Sequence, residues 1–466
     1  MERYKFTISD MGASEVMNVL NHAGYKAYVV GGCVRDALLG RTPHDWDICT
    51  NAKPEEIIQL FGEENTIPTG IKHGTVTVKC GSGQYEVTTF RTDGEYSDSR
   101  RPDSVTFVDR VEVDLARRDF TINAMAFNED EGIVDPFGGQ NDLQNKIIRC
   151  VGSPEERFEE DSLRLLRAIR FAAQLGFEIE PSTAEAIDYL ASRVNLTALE
   201  RVGVEFAKTV DAPFAAQVFR TPIGKRMLMA ICPVFMMADG CAQNNKYHCG
   251  DVYEHTMMAL ENSWNCSAFP KSWADTEVRM ALLLHDIGKP FVKTTDENGY
   301  DHFYQHASVS ARFAKHILTR LRYSKKSIDT IVNLVHYHDI TFTPSKAAVR
   351  RMLNKFGMEN TRRLLKIREC DNRAHTELAF PKFEAGAMPF SKLLDEVWEE
   401  QSAFSLKHLE INGTTLMTEL NLQPGKLVGE ILNHLLDAVI NDRVINDRTA
   451  LIEEAKAYYE KGENYD

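Results

Sequence analysis

Signals for β-strands stop at about residue 155, and this asymmetry constrains the fold more than any other feature of the chain. "AYVVGG", "DWDICT", "GTVTVKC" and "YEVTTFR" are short, rich in β-branched or aromatic residues, and confined to the N-terminal region. Between them, "VRDALLG" and "KPEEIIQLFG" carry helical spacing. Interleaved strands and helices predict a small sheet with helices packed on it. "SPEERFEEDSLRLLRAIRFAAQLGF" then reads as one strong helix, opened by Ser-Pro-Glu-Glu and stopped by Gly176. Everything after it is helical, broken by Gly, Pro and Asn. The expected class is α+β: a small mixed-sheet head followed by an all-α remainder. At 466 residues the chain exceeds one hydrophobic core, so three or four compact units are expected.

Charge and cysteine usage narrow the setting. A net charge of −14 argues against a protein coated in nucleic acid, although a local basic groove remains compatible with it. The stretches able to supply one are Arg91 to Arg118 and Arg164 to Arg170. Nine cysteines stand singly, with no CxxC, which fits a reducing, cytoplasmic compartment. No signal peptide is read at the polar start, and no apolar run reaches the roughly 18 residues a membrane span needs.

The densest chemistry lies in "YVVGGCVRDALLGRTPHDWDICT". "VVGG" ends a strand and Cys33 to Leu39 begins a helix, so glycine backbone and free helix N–H groups form a phosphate cradle within reach of Arg35. On an extended segment Asp45 and Asp47 point to one face and Trp46 to the other. Glu86, on "YEVTTFR", offers a third carboxylate. Converging acids beside a phosphate cradle predict a site for one or two Mg²⁺ ions.

"GGCVRDALLGRTPHDWDI" with "PTGIKHGTVTV", then "LARRDFTINAMAFN", "DPFGGQNDLQNKIIRCVG" and "FEEDSLRLLRAIRFAAQLGF", resemble in order the blocks of the class II tRNA nucleotidyltransferases. That family comprises the CCA-adding enzymes and their poly(A) polymerase relatives. The resemblance implies a nucleotidyltransferase head that transfers nucleotides from CTP and ATP to the tRNA 3′ end, with Mg²⁺ on Asp45 and Asp47. It places Gly32, Arg35 and Arg118 on the nucleotide, with Asp119 and Asn123 orienting Arg118 or meeting the ribose. It further assigns base reading, in place of a nucleic-acid template, to Asp161 and Arg164, expected side by side on a helix, and nucleotide binding to Arg167 and Arg170. "FRTDGEYSDSRRPDSVTFV" (90–108) reads as a mobile loop, at the place where the family switches from C to A addition. "LERVGVEFAKTV" departs from the family pattern, with Gly203 where an Arg is usual, which puts helix stability and primer alignment there in question. Siblings that add only CC, only A, or poly(A) are the alternatives within the class.

A second constellation follows. "VYEHTMMAL", "ALLLHDIGKP", "FYQHASVSA", "VHYHD" and "LLKIRECDNRAH" place imidazoles and carboxylates on successive helices, the composition of a hydrolytic metal site. They resemble an HD-superfamily phosphohydrolase. That resemblance makes His255, His285, Asp286 and Asp371 the core ligands of a divalent metal of unspecified identity. His306 and either His336 or His338 would be further ligands, while His302, His316 and His375 read as structural. The activity implied is that of a phosphatase or cyclic phosphodiesterase on nucleotides or RNA ends, and an HD phosphohydrolase whose head merely holds RNA is the rival reading of the whole chain.

The final segment turns helical after Pro424 and Gly425, with Leu427, Ile431 and Leu435 on one apolar face. By the resemblance it contacts the tRNA elbow, with Lys426 and Arg443 as candidate phosphate contacts. The expected domains are thus a head (1–152), a helical neck (153–240), an HD domain (241–385) and a tRNA-binding tail (386–466). The partners are the acceptor arm and elbow of tRNA with CTP and ATP, and no membrane; oligomeric state is left open.

Overall fold

The computed structural model describes residues 7–94, 104–245, 250–377, 380–400 and 403–463. The chain divides into two compact units rather than three or four: one runs to Pro233 and includes Arg320–Arg322, and the other holds Val234–Thr319 and the chain from Tyr323.

In the first unit the strand-forming segments build a seven-stranded sheet. It contains β1 (Ala27–Val30), β2 (Ile48–Thr50), β3 (Thr66–Gly70), β4 (Thr75–Cys80), β5 (Gly83–Thr89), β8 (Ala126–Asn128) and β9 (Gly132–Val134) in the order β3-β4-β5-β2-β1-β8-β9. Only β2 and β5 pair parallel, so the sheet is mixed, as expected. The ends of the stretch read as a mobile loop are themselves strands: β6 (Arg91–Asp93) pairs antiparallel with β7 (Val105–Phe107). Residues 95–103 of that stretch lie outside the described residues.

Around the sheet lie α1 (Met11–His22), α2 (Gly32–Leu38), α3 (Pro54–Phe61), α4 (Val111–Ala116) and α5 (Gly139–Asn145). The expected long helix is two, α6 (Pro154–Glu160) and α7 (Leu163–Leu175), because Asp161 takes an extended conformation between them. α8 (Pro181–Leu190), α9 (Leu199–Val210), α10 (Ala215–Arg220) and α11 (Pro222–Ile231) complete the unit. No division falls at 152, because the two parts are sewn together there. β10 (Ile147–Ile148) pairs with β11 (Glu178–Ile179), Phe120 bridges Cys150, and Phe120 and Phe171 meet edge to face at 5.7 Å.

The second unit is helical: α12 (Phe235–Ala238), α13 (Val252–Asn265), α14 (Thr276–Leu284), α15 (His306–Arg320), α16 (Lys325–His336) and α17 (Lys346–Arg373), the last kinked at Gly357. α18 (Phe380–Glu399), α19 (Gly413–Leu420), α20 (Lys426–Ile440) and α21 (Arg448–Glu463) follow. The expected boundary at 385 falls inside α18, and Arg350 of α17 forks onto Asp442 at 2.6 and 2.7 Å, so the tail belongs to the same unit. Ile431 and Leu435 enter a core with Leu416 and Leu451, whereas Leu427 is exposed. Among the described residues no helix is long and apolar enough to cross a membrane.

Candidate functional site

Sheet register assembles the first site. Ile48 pairs with Val87, and both are buried; the preceding residues, Asp47 and Glu86, therefore project together from the opposite face. Asp45, two residues before Asp47, shares that face, while Trp46 is buried. Loss of hydration pushes the Asp47 carboxyl up; Arg118 pulls it back, and Glu86 and Asp45 push it further. A divalent cation relieves repulsion of this kind, so the acids fit such an ion. They are not packed as a closed cage: among the described residues, every group of three or more ligand atoms within 4.8 Å of one another lies in the second unit. An open pair of carboxylates is the usual protein share of a Mg²⁺ site that substrate phosphates complete.

Facing the acids, Gly31 rather than Gly32 is the glycine the backbone requires. Gly31 has φ 82°, and a Cβ there would sit 2.7 Å from Arg118 Nη1. At Gly32, the first residue of α2, the nearest atom would be 3.7 Å away. The open turn at Gly31 lets Arg118 lie across it, with Nη1 donating to the Asn123 carbonyl at 3.4 Å.

A polar chain joins this edge to α7. Arg35 Nη1 donates to Asn123 Oδ1 at 2.7 Å, Asn123 Nδ2 donates to Asp119 at 3.3 Å, and Arg167 grips Asp119 Oδ2 through Nε (2.7 Å) and Nη2 (2.6 Å). Burial alone would raise the Asp119 carboxyl, but Arg167 and Arg164 outweigh it and hold it down at about 2. Asp119 thus orients Asn123 and Arg167. Arg170 turns into the core, donating to Glu205 of α9 at 2.5 Å and lying 4.1 Å over the Phe171 ring, so its charge is already engaged.

The expected side-by-side pairing of Asp161 with Arg164 is not made. Since the helix breaks at Asp161, that carboxylate turns to α9 and accepts from Arg201 at 2.8 and 3.3 Å. Arg164 instead donates to Glu160 at 2.5 Å and to the Arg157 and Arg117 carbonyls at 3.0 Å. Arg201 and Glu205 were missed by sequence reasoning, although their four-residue spacing puts them on one face of α9. Gly203, between them, is a packing residue: a Cβ would lie 2.3 Å from the Leu321 carbonyl oxygen, so no side chain fits where the resemblance led us to expect Arg.

The second unit brings the other constellation together. The Nδ1 atoms of His255, His285, His306 and His338 each face a backbone carbonyl, at 3.3, 2.7, 2.9 and 2.7 Å, which turns the four Nε2 atoms inward. His255 Nε2 lies 3.0 Å from Asp371 Oδ1 and 3.4 Å from His285 Nε2; His306 Nε2 lies 3.2 Å from His338 Nε2. Asp286 stands between the two pairs, Oδ2 toward His255 and His285 (3.4 and 3.2 Å) and Oδ1 toward His306 and His338 (3.3 and 3.7 Å). Both of its oxygens are buried without a well-formed hydrogen bond. Burial pulls His255 down, and His338 down to about 4, which leaves both imidazoles neutral; burial is outweighed at His285, which Asp286 lifts to about 10, and at His306, which Asp339 raises, so a metal there has to displace their protons. Asp286 and Asp371 remain ionised because the surrounding cationic groups overcome their burial. Inward Nε2 atoms around a buried carboxylate, which the Lys289 ammonium also reaches at 2.7 Å, fit a divalent metal.

Of the alternatives His336 and His338, the second is the one in the cluster; His336 packs on Tyr337 instead. His375, expected to be structural, lines the cleft with its ring 4.8 Å from that of His255, and His302 lines the same cleft. Asp339, 3.2 Å from His306, and Lys289, 2.7 Å from Asp286, were not singled out, although "VHYHD" and "HDIGK" contain them.

Comparison with known proteins covers both units. The Poly A polymerase head domain model matches residues 27–149, the RNA- and SrmB-binding site of polymerase A residues 176–233, and tRNA nucleotidyltransferase domain 2 residues 292–455. The chain is 34% identical to a CCA-adding enzyme of Ligilactobacillus salivarius over 453 residues, 96% of each chain. It is 33% identical to one of Limosilactobacillus reuteri over 456 residues, 97% of each chain. The fold resembles that of the Bacillus stearothermophilus CCA-adding enzyme in complex with CTP, with a TM-score of 0.71, 30% identity and 98% of both chains covered.

Proposed function

The chain belongs to the family of CCA-adding enzymes, and on that premise we propose how its two units do their chemistry. It is a tRNA nucleotidyltransferase that adds the 3′-terminal CCA from CTP and ATP without a nucleic-acid template. Relatives matched over nearly their whole length are CCA-adding enzymes, which favours full CCA addition over the CC-only, A-only and poly(A) siblings.

The single observation carrying the site assignment is the common face of Asp45, Asp47 and Glu86 beside the Gly31 turn and Arg118. A tRNA 3′-oxygen bonds to the α-phosphorus, the bond to pyrophosphate breaks, and the hydroxyl proton is lost. Mg²⁺ on Asp45 and Asp47 would neutralise the charge on the reacting phosphates. Arg118 would hold the triphosphate, and Asp119 would keep its neighbours oriented. Base reading by Asp161 and Arg164 requires both to leave their present partners, Arg201 and Glu160. Lys426 and Arg443 already pair with Glu430 and Asp437, so elbow recognition by the tail rests on shape more than on these charges. The cytoplasm is the compartment we assign, supported by singly spaced cysteines and a tRNA substrate.

Purified enzyme is offered tRNA transcripts ending before CCA, after C and after CC, with CTP, ATP or both. Three ordered additions that then stop are expected, and Asp47→Ala should lower incorporation by roughly 10³-fold or more. An A ladder, or wild-type rates from Asp47→Ala, would overturn the assignment.

A second reading is favoured by the inward Nε2 atoms and the buried Asp286 that stands between them. His255, His285, Asp286 and Asp371 would hold a divalent metal, with His306, His338 and Asp339 as further donors beside them. Such a centre would supply Lewis acidity to hydrolysis of a phosphate ester. In that reaction water oxygen bonds to phosphorus, the ester P–O bond breaks, and the leaving oxygen takes the proton.

A further inference from the structure

Two acids of the first unit act on Arg118. One is Asp47, whose carboxyl burial raises and Arg118 pulls back down. The other is Asp114 of α4, a carboxylate with no exposure to solvent. Its Oδ1 accepts from Arg117 Nε at 2.9 Å and from the Arg91 backbone N–H of β6 at 3.2 Å, which fixes the direction of the carboxylate. Its Oδ2 makes no hydrogen bond and faces Arg118 Nη2 at 3.8 Å. The row of alternating charges continues past Arg117, which meets Asp93 of β6 at 3.8 Å.

Arg118 itself is held loosely: Nη1 reaches the Asn123 carbonyl at 3.4 Å, and Nε is buried without a hydrogen-bond partner. A guanidinium so lightly bonded is drawn to a neighbouring carboxylate. Closing on Asp47, it would occupy the acid assigned to the metal and spend its fork before a triphosphate arrived. A fixed negative charge on the α4 side opposes that movement. Packing alone does not call for such a charge, since a carboxylate buried to this degree is costly unless cationic neighbours use it. We propose that Asp114 is a positioning residue for nucleotide transfer, anchoring Arg118 away from Asp47 so that the guanidinium meets the triphosphate and Asp47 meets the metal. The proposal rests on the reading above that Arg118 holds the triphosphate, and adds what holds Arg118.

The test uses the full-length chain with Asp114→Asn and Asp114→Ser, which remove the charge and keep an acceptor for the Arg91 N–H. Either variant that folds, as judged by its urea midpoint, suffices. Each is also combined with Arg118→Ala. Initial rates are measured for CTP on tRNA ending before CCA and for ATP on tRNA ending in CC, with nucleotide and Mg²⁺ varied in turn. Loss of the charge is expected to raise KM for both nucleotides by at least about tenfold, the scale of one charge-assisted contact. The half-saturating Mg²⁺ should also rise, because Arg118 then competes for Asp47. With Arg118→Ala in place neither change should appear, a coupling that a merely structural role of Asp114 would not produce. An unchanged KM and Mg²⁺ requirement, or rises of equal size with and without Arg118, overturn the proposal while leaving Arg118 on the triphosphate. A rise for only one of the two nucleotides overturns it as well, since the triphosphate is common to both. Wild-type KM values from Arg118→Ala alone overturn the reading of Arg118, and the proposal with it.

Discussion

A single methyl group separates the two adjacent glycines at the head of α2. At Gly31 it would demand a left-handed backbone from an alanine and push on Arg118, 2.7 Å away. At Gly32 it meets nothing closer than 3.7 Å. Gly31→Ala is therefore expected to cost roughly 1–3 kcal/mol and most CTP incorporation, while Gly32→Ala folds normally. Denaturant melts and single-nucleotide addition on the two variants check this; equal behaviour would remove the special role of Gly31. Asp119 allows a second expectation. Its folded carboxyl, at about 2, lies below the ordinary carboxylate value, so its stabilisation is complete above about pH 4 and is lost as pH falls toward 2. The contribution is about 2–3 kcal/mol. Asp119→Asn should lose that stability at neutral pH and show a flatter acid limb in urea midpoints measured from pH 5 to pH 2.5. "GG", "DWD" and "RRD" single out the residues of this candidate site in the sequence because they are chemically loaded. Which glycine is obligatory was not legible there, since φ and the reach of Arg118 are properties of the folded turn.

Elements were legible where periodicity is local and illegible where a distant partner decides. The strands of the head follow from their β-branched runs. The break between α6 and α7 does not, because "FEEDSLRLL" has good helical spacing; in the fold the Asp161 carboxylate accepts from the Leu163 backbone N–H at 3.0 Å at the start of α7 and is gripped by Arg201 of α9. The same holds for the boundary sought near 385, which lies within α18 because Arg350 and Asp442 fasten the tail to α17. Gly203 shows the limit of judging an element by family pattern. A missing Arg reads as a weakened contact in sequence, yet α9 passes so close to the Leu321 carbonyl that even a Cβ would sit 2.3 Å away. Because the obstructing atom is backbone, relief requires α9 to shift. Gly203→Ala should thus destabilise the first unit by about 1–3 kcal/mol despite the better helix propensity of alanine, and Gly203→Arg by more. A calorimetric scan in which Gly203→Ala raises the transition temperature would show that α9 has room to spare.

Over the whole molecule, two sites of opposite design lie in separate compact units. On the reading proposed above, the head offers an open pair of acids that substrate phosphates would complete, so that metal and nucleotide would bind together. The second unit offers inward imidazoles around a buried carboxylate, a ligand set assembled by folding alone. Metal binding should therefore couple to stability in one unit and to substrate in the other. Saturating the chain with Mn²⁺ at about 100 times its dissociation constant is worth about 2.7 kcal/mol to the native second unit, roughly 5–10 °C in its transition. The head transition should scarcely move without nucleotide. Asp45→Ala with Asp47→Ala should leave that Mn²⁺-dependent shift intact while abolishing CCA addition. His285→Ala removes a ligand buried at the centre of the cluster, and should abolish the shift while sparing addition at temperatures where both units stay folded. Calorimetry with and without chelator, paired with the addition assay on both variants, checks this. A Mn²⁺ shift that survives His285→Ala would move the metal away from the histidine cluster, and loss of CCA addition in that variant would mean that the two chemistries are coupled after all.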